Sequence, residues 1–336
     1  MSGIVAAKVA GVLAALACVT AIVLYLIPSS DYLLLPDPAH PVAPLVTVQG
    51  GHDPKGPGGI YFVDVIERHA TVLESLFPSI HSGATLVPAS EIVPPGVSDQ
   101  AAHQADLRAM TISQKIAAAV ALRRLGYKIV AKPIGVIVAA LSGQSHAVGK
   151  LQPSDLIVAV NGAPTLAITK LRTELAKVKP GEVVALSIDR GGERRTVRVQ
   201  TLADPKNKKR AIVGFAPAQA VDVKLPLKVR IDARNVGGPS AGLAFALEVL
   251  EELGHNVDRG YRVAVTGQIE LNGAVDPIGG VKQKTLGARE AKADVFLVPA
   301  GDNAREARRY ANGLRIIPVQ SFPQALRALA TLPPKH

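Results

Sequence analysis

The sequence predicts a multi-domain α+β protein: an N-terminal transmembrane helix, a β-rich middle domain with helices, and a C-terminal α+β domain. Three observations predict it. An uncharged apolar run, Val9–Ile27, sits near the N-terminus. Strand-like alternation broken by Gly and Pro turns fills the middle. The last third alternates strands with two helices that each open on a Gly/Pro turn. At 336 residues and 35.0 kDa the chain can hold two or three domains. It is 48% hydrophobic but only 4% aromatic, with no Trp, so its cores must be aliphatic.

The anchor comes first. "VAGVLAALACVTAIVLYLI" nearly matches the ~20 residues needed to cross a bilayer. It is longer than the apolar stretch of a cleavable signal peptide, which favours an uncleaved anchor. Lys8 and the α-amino group precede it, and no Lys or Arg follows until Lys55. The positive-inside rule then puts the N-terminus in the cytoplasm and everything after Pro28 outside the cytoplasmic membrane. Cys18 is the one cysteine, which excludes an intrachain disulfide and any multi-Cys metal site. A lipid-bearing "ALAC" motif would end its apolar run at the cysteine; here the run continues to Ile27.

The charge of +11 and a pI near 9.8 raise the question of nucleic acid. The Lys and Arg residues are spread along the chain. The densest run, "KNKKR" (Lys206–Arg210), has no aromatic residues to stack on bases, so no nucleic-acid partner is expected. No His/Asp/Glu cluster has metal-ligand spacing, so neither a metal nor a cofactor is expected.

After residues 1–28, the cytoplasmic tip and anchor, residues 29–130 read as an extracytoplasmic α/β region. Short strands are predicted at "LVTV" and at Ile60–Glu67, "IYFVDVIE". A helix is predicted between Ser98 and Gly126.

Residues 131–203 change pattern. "PIGVIVAAL" and "DLIVAV" read as strands, Asn161-Gly162 as a turn, "AITKLRTELAKV" as an amphipathic helix, and Gly191-Gly192 as the tip of a hairpin. This order, carried by "GVIVAALSGQSHAVGKLQPSDLIVAVNG", resembles a bacterial PDZ domain. The resemblance implies binding of an extended peptide by strand addition. It puts the peptide-binding segment at Ile134, Gly135, Val136 and Ile137. The loop there departs from the familiar Gly-Leu-Gly-Phe form.

The last domain, 211–332, contains "GGPSAGL" at Gly237–Leu243. Pro239 suits the first helical position. The helix predicted after it, Ala241–Leu253, aims its N–H groups back at Ser240, where they and the helix dipole can stabilise an oxyanion. A nucleophilic serine needs a base. "GPSAG" fits a G-x-S-x-G elbow, but only His255 and His336 follow it, and neither is well placed. The better base is a lysine. The Pro277–Gly280 turn opens a helix carrying Lys282 and Lys284, where helix position and burial both favour a neutral amine. Their spacing turns the two side chains apart, so one alone can face Ser240, and spacing does not say which. Lys282, Arg289 and Lys292 otherwise read as solvated charges, and His146 and His255 as ordinary loop histidines.

"GGPSAGL … VTGQIELNGAVDPIGGVKQKTLGAREA" resembles the proteolytic domain of the Lon family of serine proteases. The resemblance implies a Ser-Lys dyad with Ser240 as nucleophile and Lys284 as base. It implies a supporting Thr266 whose hydroxyl contacts that lysine. It also implies an oxyanion hole built from the backbone N–H groups of Gly238 and Ser240. Gln268 stands where family members commonly have Glu. No G-x-x-x-x-G-K-[ST] loop occurs in the sequence, so an ATP-independent endopeptidase is expected. The whole plan resembles the membrane-anchored PDZ–Lon-like proteases of Gram-positive bacteria. That implies loosely folded polypeptide substrates outside the membrane, with the PDZ domain presenting or screening them. Lon-type domains commonly form hexameric rings, which implies a homo-oligomer. Two rival readings use the same features: a non-catalytic PDZ scaffold at the membrane, and an esterase using the same dyad.

Overall fold

The computed structural model describes residues 2–54, 56–94, 97–333 and 335. Lys55, used above to orient the anchor, and His336 lie outside the described residues. The first helix, α1 (Ser2–Leu26), carries the apolar run. Its Ala7–Leu26 stretch has mean hydropathy 2.5, buries none of its residues, and is long and apolar enough to cross a membrane.

From α1 the chain enters strand β1 (Pro28–Pro36). The strand expected at Ile60–Glu67 is two strands, β2 (Gly59–Phe62) and β3 (Val65–Thr71). The break falls at Asp64, whose Oδ1 accepts the Val65 N–H at 2.8 Å. It sends the two strands into different sheets. β3 pairs antiparallel with β1, which also pairs with Thr85–Val87, while β2 joins the C-terminal sheet. After β3 comes α2 (Val72–Leu76), begun by a reciprocal capping box between Thr71 and Glu74. The expected long helix is α3 (Asp99–Arg124), with Ser98 accepting the Ala101 N–H at its start and left-handed Gly126 (φ 86°) after its end.

The middle domain is an antiparallel sheet with one helix across it. Its elements are β4 (Val130–Leu141), β5 (Leu156–Val160), α4 (Ile168–Leu175), β6 (Val183–Arg190), β7 (Glu193–Gln200) and β8 (Phe215–Lys224). The strands lie in the order β7-β6-β5-β4-β8. Asn161 and Gly162 are both left-handed (φ 48° and 82°), as a tight two-residue turn requires. Asp155 is fully buried and takes both Nε and Nη2 of Arg190 at 2.7 Å, a bidentate pair tying the start of β5 to the end of β6. The core is aliphatic, with Val136, Leu151, Ile157 and Leu186 at its centre. The sheet gains a further strand beyond residue 203. β8, assigned by sequence to the last domain, pairs with β4 along its whole length, from Phe215↔Leu141 to Lys224↔Val130.

The C-terminal body contains α5 (Gly242–Glu252), β9 (Arg262–Val265), α6 (Val281–Glu290), β10 (Val295–Pro299) and β11 (Arg315–Val319). β2, β9, β10 and β11 form a parallel sheet in that order. Val46–Val48 pairs with Val229–Ile231, and α3 packs across α5. Within residues 29–130, β2, Val46–Val48 and α3 thus join the C-terminal body, whereas β1, β3 and Thr85–Val87 form a three-stranded sheet of their own. Every residue of α5 is buried. The shared core includes Phe62 from β2, Leu243, Phe245 and Leu247 from α5, and Val265 and Leu297 from the sheet. The middle domain is an insertion between α3 and the strand Val229–Ile231.

Candidate active site

Gly237–Leu243 is small because α3 crosses beneath it. A Cβ on Gly237 would lie 2.8 Å from Asp106 Cβ, and one on Gly242 2.6 Å from Ser113 Oγ. Gly238 is left-handed (φ 78°) and donates its N–H to Asp106 O at 2.9 Å. Ser113 Oγ donates to Pro239 O at 3.0 Å. On the other side, Gly267 N–H and Thr266 Oγ1 both donate to Ser240 O, at 2.8 and 3.4 Å. The serine loop is thus clamped between α3 and the end of β9. Ser240 stands half-buried at the entrance to α5.

Lys284 reaches it from the first turn of α6. Left-handed Gly280 (φ 67°) precedes that turn and accepts the Lys284 N–H at 2.9 Å. Lys284 Nζ lies 2.9 Å from Ser240 Oγ, and the lysine is 5% exposed. Burial lowers its pKa to about 8, against the opposing pull of the Asp64 and Glu67 carboxylates. Burial in turn pushes the Asp64 carboxyl above its ordinary value. A buried amine that loses its proton near pH 8, in hydrogen-bond reach of a serine hydroxyl, has the geometry to serve as a general base to a nucleophile.

The other residues singled out by sequence fall as follows. Lys282 is not a solvated charge: its Nζ donates to Ala84 O at 2.8 Å and Thr85 Oγ1 at 3.1 Å, tying α6 to the strand at Thr85–Val87. Arg289 donates to Tyr310 O, whereas Lys292 is exposed. His146 and His255 are exposed loop residues. Thr266 is fully buried, but its hydroxyl bonds the Ser240 carbonyl and not the lysine. Of the two N–H groups expected to hold an oxyanion, that of Gly238 is already donated to Asp106 O, because α3 passes under the loop. Gln268 donates to Glu270 Oε1 at 3.0 Å. A Glu at 268 would set two carboxylates together there, so the amide suits this site. Among the described residues no group of His, Cys, Asp or Glu is arranged to hold a metal.

The peptide-binding segment expected at Ile134–Ile137 is not an open edge. Val136 and Ile137 pair with Ile157 and Leu156 of β5 on one side and with Gln219 and Ala218 of β8 on the other. A strand paired on both edges cannot accept a third. The outer strand is β8. Beside it a cleft of about 370 Å³ is lined by Leu171 and Leu175 of α4, Ile212, Phe215 and Pro217, with Arg210 at its rim. A signal was present in the sequence: Gly214-Phe215 supplies the Gly-Phe step missing before Val136, at the start of β8.

Comparison with known proteins divides the chain between residues 201 and 213, ahead of β8. Residues 213–331 match the model of the Lon protease (S16) C-terminal proteolytic domain, and residues 116–201 match that of a PDZ domain. The chain carries a PDZ domain and a Lon-type proteolytic domain. It is 32% identical to Lon protease 2 of Bacillus subtilis (strain 168) over 123 residues, 36% of this chain and 21% of that protein. It is also 32% identical to a Lon protease of Chloroflexus aggregans over 147 residues, 42% of this chain and 18% of that protein. The chain thus matches about a fifth of the length of these relatives. Among solved structures, the PDZ domain of an SdrC-like protein from Listeria monocytogenes aligns with 26% of this chain and 90% of its own, at 18% identity and a TM-score of 0.24. The Lon-type match begins just before β8 and so contains the whole of that strand, which pairs in the PDZ sheet, while it omits β2 and α3, which pack into the C-terminal body.

Proposed function

We propose that this chain is an ATP-independent, membrane-anchored serine endopeptidase with a Ser240–Lys284 dyad. The observation that carries the reading is the 2.9 Å approach of a buried, depressed-pKa amine to Ser240 Oγ. Neutral Lys284 takes the hydroxyl proton as Ser240 attacks a peptide carbonyl. The Ser240 N–H, at the positive end of α5, receives the developing oxyanion. The lysine ammonium then gives its proton to the departing amine. Water, activated by the same lysine, releases the acyl group.

In this reading the PDZ domain takes an extended segment of the substrate along the outer edge of β8, with apolar side chains entering the cleft against α4. The anchor puts the catalytic body at the outer face of the cytoplasmic membrane, where loosely folded segments of membrane or secreted polypeptides are the substrates. Assembly into a hexameric ring rests on the Lon-type resemblance, and light scattering of the full chain in detergent tests it.

The reading is tested by incubating the full chain in detergent with casein and no nucleotide, beside Ser240→Ala. Cleavage by the wild type alone is expected. Equal cleavage by both removes Ser240 as nucleophile. Hydrolysis of small esters with inert casein favours the esterase reading. Inertness toward both, alongside retained peptide binding, favours the scaffold.

A further inference from the structure

The exposed large apolar side chains outside α1 include a compact group at its far end. Leu76, Phe77 and Ile80 are 60%, 56% and 53% exposed, and Ile66 on β3 is exposed as well. They belong to α2 and the Pro78–Ile80 turn that follows. This element is fixed to the end of the apolar helix. Val72 N–H donates to Ile27 O at 2.9 Å, Ser75 Oγ to Ser29 Oγ at 2.8 Å, and Pro28 pairs with Thr71. Its charge is turned inward. Glu74, fully buried, takes Arg68 Nη1 and Nη2 at 2.9 and 2.6 Å and faces His81 Nε2 at 2.6 Å. A short surface element that buries its carboxylate and shows water a Leu, a Phe and an Ile is inside out for an aqueous setting.

It is the right way out for a membrane boundary. If α1 spans the bilayer, Ile27 lies where the hydrocarbon ends, and α2 is held at that depth. Apolar side chains carried there gain by entering the headgroup region. We propose that Leu76, Phe77 and Ile80 form an apolar foot that rests in the outer headgroup layer and seats the catalytic body on the membrane surface. The proposal rests on the anchored reading of α1.

The seating has a consequence for the site. β1 rises directly from the anchor, and α6, which carries Lys284, lies on it. Ala39 N–H, just past β1, donates to Gly287 O at 3.2 Å, and Gly287 leaves no room for a Cβ against Asp37 O. Lys282 and Gln283 both bond Thr85, whose strand pairs with β1. A body seated by its foot therefore carries the dyad a fixed distance from the bilayer. Polypeptide segments next to the membrane are the class presented to it.

The test uses the full chain in phosphatidylcholine–phosphatidylglycerol vesicles with an environment-sensitive fluorophore on single cysteines. Native Cys18 reports on the span. Ser79→Cys, in a Cys18→Ser background, reports on the foot while keeping its three apolar side chains. Lys208→Cys, in the same background, reports on the exposed strand before β8. Lipids spin-labelled at shallow or deep positions quench by depth. The expected result is deep quenching at 18, blue-shifted emission with shallow quenching at 79, and neither at 208. Adding Leu76→Gln and Phe77→Gln should lower the quenching at 79 at least twofold. Quenching at 18 with an aqueous signal at 79 overturns the foot but leaves the anchor. A blue shift at 79 without lipid quenching marks a protein contact instead, and also overturns it. An unquenched probe at 18 overturns the anchored reading and the foot with it.

Discussion

The proposed chemistry at Ser240 depends on Lys284 being neutral, and its surroundings set how often it is. Burial lowers the amine's pKa from 10.5 to about 8, while the carboxylates of Asp64 and Glu67 pull it back up. Asp64→Asn removes one of those carboxylates. Its pH–rate inflection should therefore move to lower pH, with a somewhat lower plateau because a weaker base remains. An inflection that stays in place or rises would mean Asp64 does not face the lysine electrostatically. Burying a charge also costs stability. The folded state binds fewer protons than the unfolded chain between about pH 8 and 10.5, so this group's contribution rises with pH across that window and its cost is complete below about pH 8. Lys284→Met should abolish cleavage and raise stability at pH 7 by about 2–3 kcal/mol in chemical denaturation. A destabilised variant would show that burial does not penalise the ammonium form. Lys282→Met should keep most activity, since its bonds go to Ala84 and Thr85. The contact of Ser240 with Lys284 joins two short local motifs, and only the family resemblance, not the spacing, chose Lys284 over Lys282. The occupied N–H of Gly238 was not legible, because its partner Asp106 lies on a helix far away in sequence. The acids facing Lys284 were hidden in an apolar strand pattern, "VDVIE", that looked like one continuous strand.

At the scale of elements, helices and hairpins read well and partners did not. α3, the Asn161-Gly162 turn and the β6–β7 hairpin all follow from local signals of cap, turn and alternation. β2 and β8 betray nothing locally about their sheets. β2 is paired with β9 across most of the chain, and β8 returns to β4 past the whole insertion. The outer strand on the side of α4 is β8, and the proposed peptide edge lies there. If segments of substrate dock there, Ile212→Lys puts a charge on the apolar wall of the cleft next to α4. It should raise KM for casein several-fold, leave kcat unchanged, and leave cleavage of short peptides untouched. Equal loss on short peptides would place the effect in the catalytic body and not in docking.

At the scale of the molecule, α1, the β1 sheet and α6 form one continuous path from the apolar helix to Ser240 and Lys284, and the PDZ domain is an insertion beside it. The insertion hangs from α3, and α3 also holds the serine loop through Asp106 and Ser113. In the proposed function this chain cleaves peptide bonds with a buried lysine as base. The most direct measurement is kcat/KM of the full chain for a peptide substrate from pH 6 to 10, beside Ser240→Ala. The account predicts a single rise with an inflection near 8, a plateau above it, and no activity in the variant. A flat profile, an inflection near the ordinary histidine value of about 6.5, or cleavage that survives Ser240→Ala would contradict it.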